Sequence, residues 1–375
     1  MSRSSQAMLD DVLATVRPAV RELRAYHLDL SPCRFKLDQN EVPWDLPRRI
    51  KERALERLKA VDWAIYPDFH GDRLRRALGE RHRWPWQGVL VGNGSNELLS
   101  AAIKTFARPG GEVLGTAPTF SLYRVFSLAM GATFRACGPR FDLRLPLAEL
   151  EAEVARDPRR PVVLCSPNNP TGDSASPQRV AALLENLAAP LLLDNAYGEF
   201  GPHDYRPLLD RYPHLLIFRT FSKAWSLGGL RLGYVLARPE LTAELIKLKL
   251  PYNLGLAGLE IACAALEEAP ALERRVRVLV GRRRQWAACL ESHGLTPLPS
   301  DANFLLVRCG AAVETIFRGL GERGIRVRDV TKYPGLEDCL RVSIGDGRAL
   351  RAVDQALGEI LAKAPTAVGS PPGRL

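Results

Sequence analysis

Thr220-Phe221-Ser222-Lys223-Ala224-Trp225-Ser226-Leu227-Gly228-Gly229-Leu230-Arg231 lies between two apolar runs, Leu215-Leu216-Ile217-Phe218 before it and Gly233-Tyr234-Val235-Leu236 after it. Runs this short and this apolar read as strands buried on both faces, and the polar stretch between them reads as a loop at the strand ends. Moving outward, the same pattern recurs. Strands are expected at Val89-Leu90-Val91, Glu112-Val113-Leu114, Val162-Val163-Leu164 and Leu191-Leu192-Leu193. Amphipathic stretches with helical spacing, such as Glu97 to Phe106 and Gln178 to Leu187, lie between them. Alternating strands and helices predict an α/β fold with a mainly parallel sheet covered by helices.

The last third of the chain changes character. Helical segments are expected from about Leu256 to His293 with a break near Pro270, then short strands at Phe304-Leu305-Leu306-Val307, Ile325-Arg326-Val327 and Leu340-Arg341-Val342-Ser343-Ile344, then a helix from about Gly347 to Ala362. This pattern predicts a smaller α+β domain. The expected division is an N-terminal arm and small-domain segment over 1–45, a large domain over 46–255, the small C-terminal domain over 256–363 and a flexible tail over 364–375.

Composition narrows the function classes. Hydrophobic residues make up 46% and charged residues 25% of the 375, which suits a globular enzyme. No apolar run approaches the ~20 residues that span a bilayer, and Asp10 and Asp11 interrupt the N-terminus where a secretory leader would be apolar. A cytoplasmic protein without membrane contact is expected. The seven cysteines are scattered and never in C-x-x-C spacing, which argues against disulfides and against a metal site. Cys165, after three apolar residues, reads as strand interior rather than nucleophile. The net charge of +10 is spread over helices such as Arg274 to Arg284, so it predicts solvated faces and a field attractive to small anions, not a nucleic-acid stripe.

Ligands of open α/β sheets bind beyond the carboxyl ends of the strands. Five polar loops follow predicted strands there: Gly92-Asn93-Gly94-Ser95-Asn96, Ala117-Pro118-Thr119-Phe120, Ser166-Pro167-Asn168-Asn169-Pro170, Asp194-Asn195-Ala196-Tyr197 and the lysine loop itself. Asp194 ends a run of three leucines, where an unpaired carboxylate is costly. Lys223 has the same difficulty. A structural ion pair between them is the plainer reading. The functional one makes Lys223 a Schiff-base amine and Asp194 the partner of a protonated pyridine nitrogen.

The lysine loop, together with Ser166-Pro167-Asn168-Asn169-Pro170-Thr171-Gly172, resembles the motifs of the fold-type-I, pyridoxal 5'-phosphate-dependent aminotransferases of class II. Leu37-Asp38-Gln39-Asn40-Glu41-Val42-Pro43, Tyr66-Pro67-Asp68, Pro118 to Tyr123 and Leu340 to Gly345 make the histidinol-phosphate aminotransferase family the nearest match, over about Leu23 to Leu361.

The resemblance implies roles. Lys223 anchors the cofactor and moves the proton, Asp194 holds the pyridine nitrogen, and Tyr197 and Asn169 hold the phenolic oxygen. Phe120 stacks on the ring, while Gly94, Ser95, Asn96, Ser222 and Arg231 form the phosphate cup. Tyr66 reaches the phosphate of a partner subunit, which implies a homodimer with shared active sites. Arg341, Arg328, Tyr26 and Asn40 face the substrate, and small anions (histidinol phosphate, glutamate and 2-oxoglutarate) are the expected ligands in a ping-pong reaction of histidine synthesis.

Three positions depart from the family. Asn195 replaces a glutamate, which predicts altered local packing; Asn96 replaces an aspartate; Ala25 precedes Tyr26 in place of proline. Competing readings are a lyase acting on threonine phosphate, an aromatic aminotransferase, and a transcription regulator, which would need a helix-turn-helix segment that the residues before Leu23 are too few to supply.

Overall fold

Twelve strands among the residues described sort into two sheets: β1 (Phe35–Leu37), β2 (Val89–Gly92), β3 (Glu112–Thr116), β4 (Thr133–Cys137), β5 (Val162–Cys165), β6 (Leu191–Asp194), β7 (Leu215–Thr220), β8 (Gly233–Leu236), β9 (Thr296–Pro297), β10 (Phe304–Arg308), β11 (Ile325–Asp329) and β12 (Cys339–Ser343). The structure is a computed structural model and describes residues 5–23, 25 and 31–363. Tyr26 and the segment 364–375 lie outside the described residues.

The larger sheet has the order β2-β8-β7-β6-β5-β3-β4. Every pair is parallel except those made by β8, which runs against both β2 and β7. β2, β5, β6 and β8 are buried along their whole length. Continuous burial explains their unbroken apolar runs, because helices cover both faces and leave no solvent side to alternate toward. Each fully buried leucine of Leu191-Leu192-Leu193 contributes roughly 1.5–3 kcal/mol of transfer free energy. β4 has no such signature. It is an edge strand with Thr133, Arg135 and Ala136 exposed, and its mixed sequence hid it from periodicity.

Helix starts follow local chemistry. The helix Ser95–Phe106 opens at Gly94, whose φ of 78° a side chain would strain, and Glu97 reaches back to accept the Asn93 N–H at 2.6 Å. Its face of Leu98, Leu99, Ala102 and Ile103 is buried on the sheet. The long helical region of the last third breaks at Glu268, between Leu256–Glu267 and Ala269–Ser292. Pro270 sits in the first turn of the second helix, where its missing N–H leaves nothing unsatisfied.

The smaller sheet has the order β1-β11-β12-β10-β9. β1, too short at three residues to show a period, comes from the N-terminal segment and pairs in parallel with β11. Residues 38–40, which follow β1, therefore pass directly to the cleft at the C-terminal ends of the large-sheet strands. No helix among the described residues is long and apolar enough to cross a membrane.

Candidate active site

The carboxyl ends of β2, β5, β6 and β7 open on a cleft of about 540 Å³. Ser95, Asn96, Phe120, Asn169, Asp194, Tyr197, Ser222, Lys223, Arg231, Arg341 and Asn40 all line it.

Asp194 is fixed where β6 ends, between β5 and β7. Its carboxylate is 4% exposed and accepts two hydrogen bonds, from the Tyr123 hydroxyl at 2.5 Å and from the Ala196 N–H at 3.1 Å. Burial pushes its pKa up, and those two bonds oppose the rise. Lys223 donates from Nζ to the Gln39 carbonyl oxygen at 2.7 Å. Burial, aided by the positive charge of Arg341, lowers the pKa of its amine to about 7. A structural ion pair between the two is thus not what the fold builds. Asp194 is satisfied by a phenol and a backbone N–H, Lys223 by a backbone carbonyl.

Other bonds set the walls. The Tyr197 hydroxyl accepts from Asn40 Nδ2 at 2.9 Å, and Asn40, held at φ 56°, is locked in turn by Ser343 Oγ, which accepts its N–H at 2.9 Å. Arg341 donates to Asn169 Oδ1 at 2.5 Å and to the Asp38 carbonyl at 2.6 Å, so one guanidinium from β12 touches a loop of the large sheet. Asn168 does not line the cleft. It is buried and ties two loops together, donating to the Pro118 carbonyl and Thr171 Oγ1 at 2.9 Å each while accepting from Thr119 Oγ1 at 2.8 Å.

At the far end of the cleft, Gly94 heads the helix Ser95–Phe106 with no side-chain cap. Arg231 donates to Ser222 Oγ at 3.1 Å and to the Gly228 carbonyl at 3.0 Å, and its guanidinium lies 2.8 Å from where a side chain on Gly94 would begin. A side chain on Gly233 would begin 2.2 Å from the Ser95 nitrogen. Two glycines thus allow the helix N-terminus, β8 and Arg231 to converge on one small concavity.

Several expectations fall elsewhere. Arg328 does not line the cleft; it faces Arg341 across the β11 and β12 register. Tyr66 is 76% exposed, stacked on Tyr252 with ring centroids 4.5 Å apart, and also lies outside the cleft. Gly94 contributes backbone conformation rather than surface. Asn195, buried, donates to the Ser166 carbonyl at 2.6 Å and so closes the β5 and β6 loops on each other. Sequence reading did not single out Tyr123 as the partner of Asp194, nor Thr220 and Cys165 as lining residues. Its only signal was its place one helical turn after Phe120; the two rings meet edge to face at 5.6 Å. Cys165 keeps its thiol buried beside Asp194, and both effects push its pKa up, against a nucleophilic role.

A parallel sheet with β8 reversed, a lysine loop at its carboxyl edge and a buried strand-end aspartate together define a class. The model of the family "Aminotransferase class I and II" matches residues 34–357, and the chain belongs to that family of transaminases. Its relatives are more particular. It is 37% identical to the histidinol-phosphate aminotransferase of Deinococcus radiodurans over 88% of this chain and 92% of that one. It is 31% identical to the enzyme of the same name from Caldanaerobacter subterraneus subsp. tengcongensis, over 94% and 100%. The crystal structure of histidinol-phosphate aminotransferase from Sinorhizobium meliloti in complex with pyridoxal-5'-phosphate superposes with a TM-score of 0.83 at 25% identity, covering 93% of this chain and 98% of that one.

Proposed function

We propose that this chain binds pyridoxal 5'-phosphate in the cleft and transfers the amino group of L-histidinol phosphate to 2-oxoglutarate, giving imidazole acetol phosphate and L-glutamate. One observation carries the reading: half-buried Lys223 and buried Asp194 line the same cleft, and each is satisfied by something other than its neighbour's charge.

The residues fit the cofactor. The concavity made by the start of the helix Ser95–Phe106, Ser222 and Arg231 offers free N–H groups, a hydroxyl and a guanidinium to a phosphate. Asp194, buried, gains most from a cationic N–H partner, which a protonated pyridine provides. Bound there, the cofactor supplies an aldehyde carbon for an amine and a ring that takes up the electrons released when the substrate C–H bond breaks.

The chain's own groups do the rest. Lys223, with its pKa near 7, holds a large neutral fraction at physiological pH, so it can act as nucleophile and then take the proton from the substrate carbon. Tyr123 fixes the carboxylate of Asp194 for the ring nitrogen. Asn169 and Tyr197 would hold the phenolic oxygen, with Asn40 orienting the Tyr197 hydroxyl. Phe120, which lines the cleft, would cover one ring face. Arg341 receives the anionic end of either substrate, because a guanidinium fork suits phosphate and carboxylate alike.

The working unit is a homodimer in the cytoplasm, with Tyr66 completing the phosphate cup of the partner. Its exposure, beside exposed Trp63, Ile65 and Leu250, supports a covered surface there.

The test is direct. Purified protein with pyridoxal phosphate, histidinol phosphate and 2-oxoglutarate is expected to form glutamate faster than with phenylalanine as donor. Release of carbon dioxide from threonine phosphate without glutamate, or preference for the aromatic donor, overturns the assignment.

A further inference from the structure

Cys289 and His293 stand four residues apart at the end of the helix Ala269–Ser292, so their side chains share one face. That face packs against the helix Gly347–Lys363, which presents Asp354 to both. His293 Nε2 lies 2.8 Å from Asp354 Oδ1, and Cys289 Sγ lies 3.6 Å from the same oxygen. One potential ligand atom from each residue falls within 4.8 Å of the other two, the one such convergence of three His, Cys, Asp or Glu side chains among the described residues. None of the three lines the active cleft.

We propose that Cys289, His293 and Asp354 form a binding site for a borderline-soft divalent cation of the Zn²⁺ or Co²⁺ type, which fastens the two helices together. A sulfur, an imidazole nitrogen and a carboxylate oxygen are the donors such ions select, whereas Mg²⁺ and Ca²⁺ need oxygen shells. Ligands about 2.0–2.3 Å from a tetrahedral ion sit roughly 3.3–3.8 Å from one another. Of the separations found here, 2.8 and 3.6 Å lie near that range and the third is within 4.8 Å, so modest side-chain rotations would seat an ion.

Charge also balances: a thiolate and a carboxylate neutralise the ion. The Asp354 side chain is 58% exposed and that of His293 17%, which leaves an entry path and a fourth position for water. A catalytic thiol is a poorer reading, because the thiol is directed at the carboxylate. Burial and Asp354 raise its pKa to about 11, so without a cation it stays protonated. Reading cysteine spacing alone passed over the site, since its third member comes 61 residues after His293.

The experiment is a Co²⁺ titration of the purified, cofactor-loaded protein, followed by d–d absorption to the red of the cofactor and by equilibrium dialysis. One ion per chain is expected, with band intensities of a four-coordinate site. Cys289→Ser and His293→Gln should each weaken binding by about 100-fold or more, since loss of outer-shell partners alone costs 10–100-fold. Asp354→Asn should weaken it less, and the midpoint of thermal unfolding should rise with Zn²⁺ in the parent but not in Cys289→Ser or His293→Gln. Transaminase activity without metal should be unchanged in all three variants, and each should give the parent's circular dichroism. Absence of a stoichiometric ion in the parent, or full binding retained in Cys289→Ser or in His293→Gln, overturns the proposal.

Discussion

The floor of the cleft and the Tyr66 segment are built on opposite plans. Asp194 and Tyr197, which line it, and Asn168, which ties its loops together, are buried, and each is hydrogen-bonded by neighbours in the same chain. Tyr66, Trp63 and Ile65 expose two thirds or more of their surface and find little to pack on beyond Tyr252. The floor is finished within one polypeptide. In the proposed homodimer the Tyr66 segment is finished by the partner subunit, and that contrast separates the parts of the site that should fail alone from those that should fail only in company.

The strongest way to break the floor is Lys223→Ala. Turnover should fall by about 10,000-fold or more, the scale of losing both a nucleophile and a proton carrier. The visible absorption of the loaded protein should disappear as well; an unchanged spectrum would show that the cofactor is anchored elsewhere. Asp194→Asn should lower kcat by about 100- to 1,000-fold, the size seen when a preorganised charge is withdrawn, with protein folding retained. Parent-like kcat would remove the aspartate from the reaction.

Asn168→Ala tests packing instead of chemistry. It leaves the Pro118 carbonyl and two threonine hydroxyls without their partner, so chemical denaturation should register a loss of about 2–3 kcal/mol.

Tyr66→Phe should weaken cofactor binding about tenfold, the worth of one charge-assisted hydrogen bond, with no loss of chain stability. Mixing Tyr66→Phe with Lys223→Ala chains should restore one tight site per hybrid dimer; no recovery in a mixture shown to exchange subunits would mean that Tyr66 serves its own chain.

The smallest effect sharpens the electrostatics. The Lys223 pKa is depressed, so its amine gains reactivity as pH rises through about 7 and loses it below. Arg341→Gln removes a like charge and should raise that midpoint, slowing reductive methylation of Lys223 at pH 7 by roughly twofold if the shift is half a unit. Mass spectrometry of the modified lysine reads both.

Much of this was legible in the sequence for a physical reason. Strands covered on both sides cannot alternate, so β2, β5, β6, β7 and β8 announced themselves as apolar runs, and the polar residues that ended them had nowhere to go but the cleft. The residues that stayed hidden lacked a local rule. β4 is a half-exposed edge with a mixed sequence, and β1 is held by its pairing with β11 rather than by its own pattern. Tyr123 gave no hint of Asp194 because their contact spans 71 residues and depends on how a helix lies against the sheet. Arg328 and Arg341 look interchangeable as sequence, two arginines on neighbouring strands. Only the fold distinguishes them: Arg341 reaches the side chain of Asn169 and lines the cleft, and Arg328 does not line it.

Lys223 and Arg231 sit on a single hairpin whose arms are pinned where Thr220 pairs with Gly233. The reversed strand makes that loop a ruler. The distance between the proposed covalent anchor and the proposed anion grip is set by residues 224–230, read in one stretch of chain. Substitutions there can be absorbed one at a time, but an insertion or deletion changes a length that no other part of the protein can reset. Among natural variants of this chain, gaps should therefore be tolerated in the surface turns and absent from that loop.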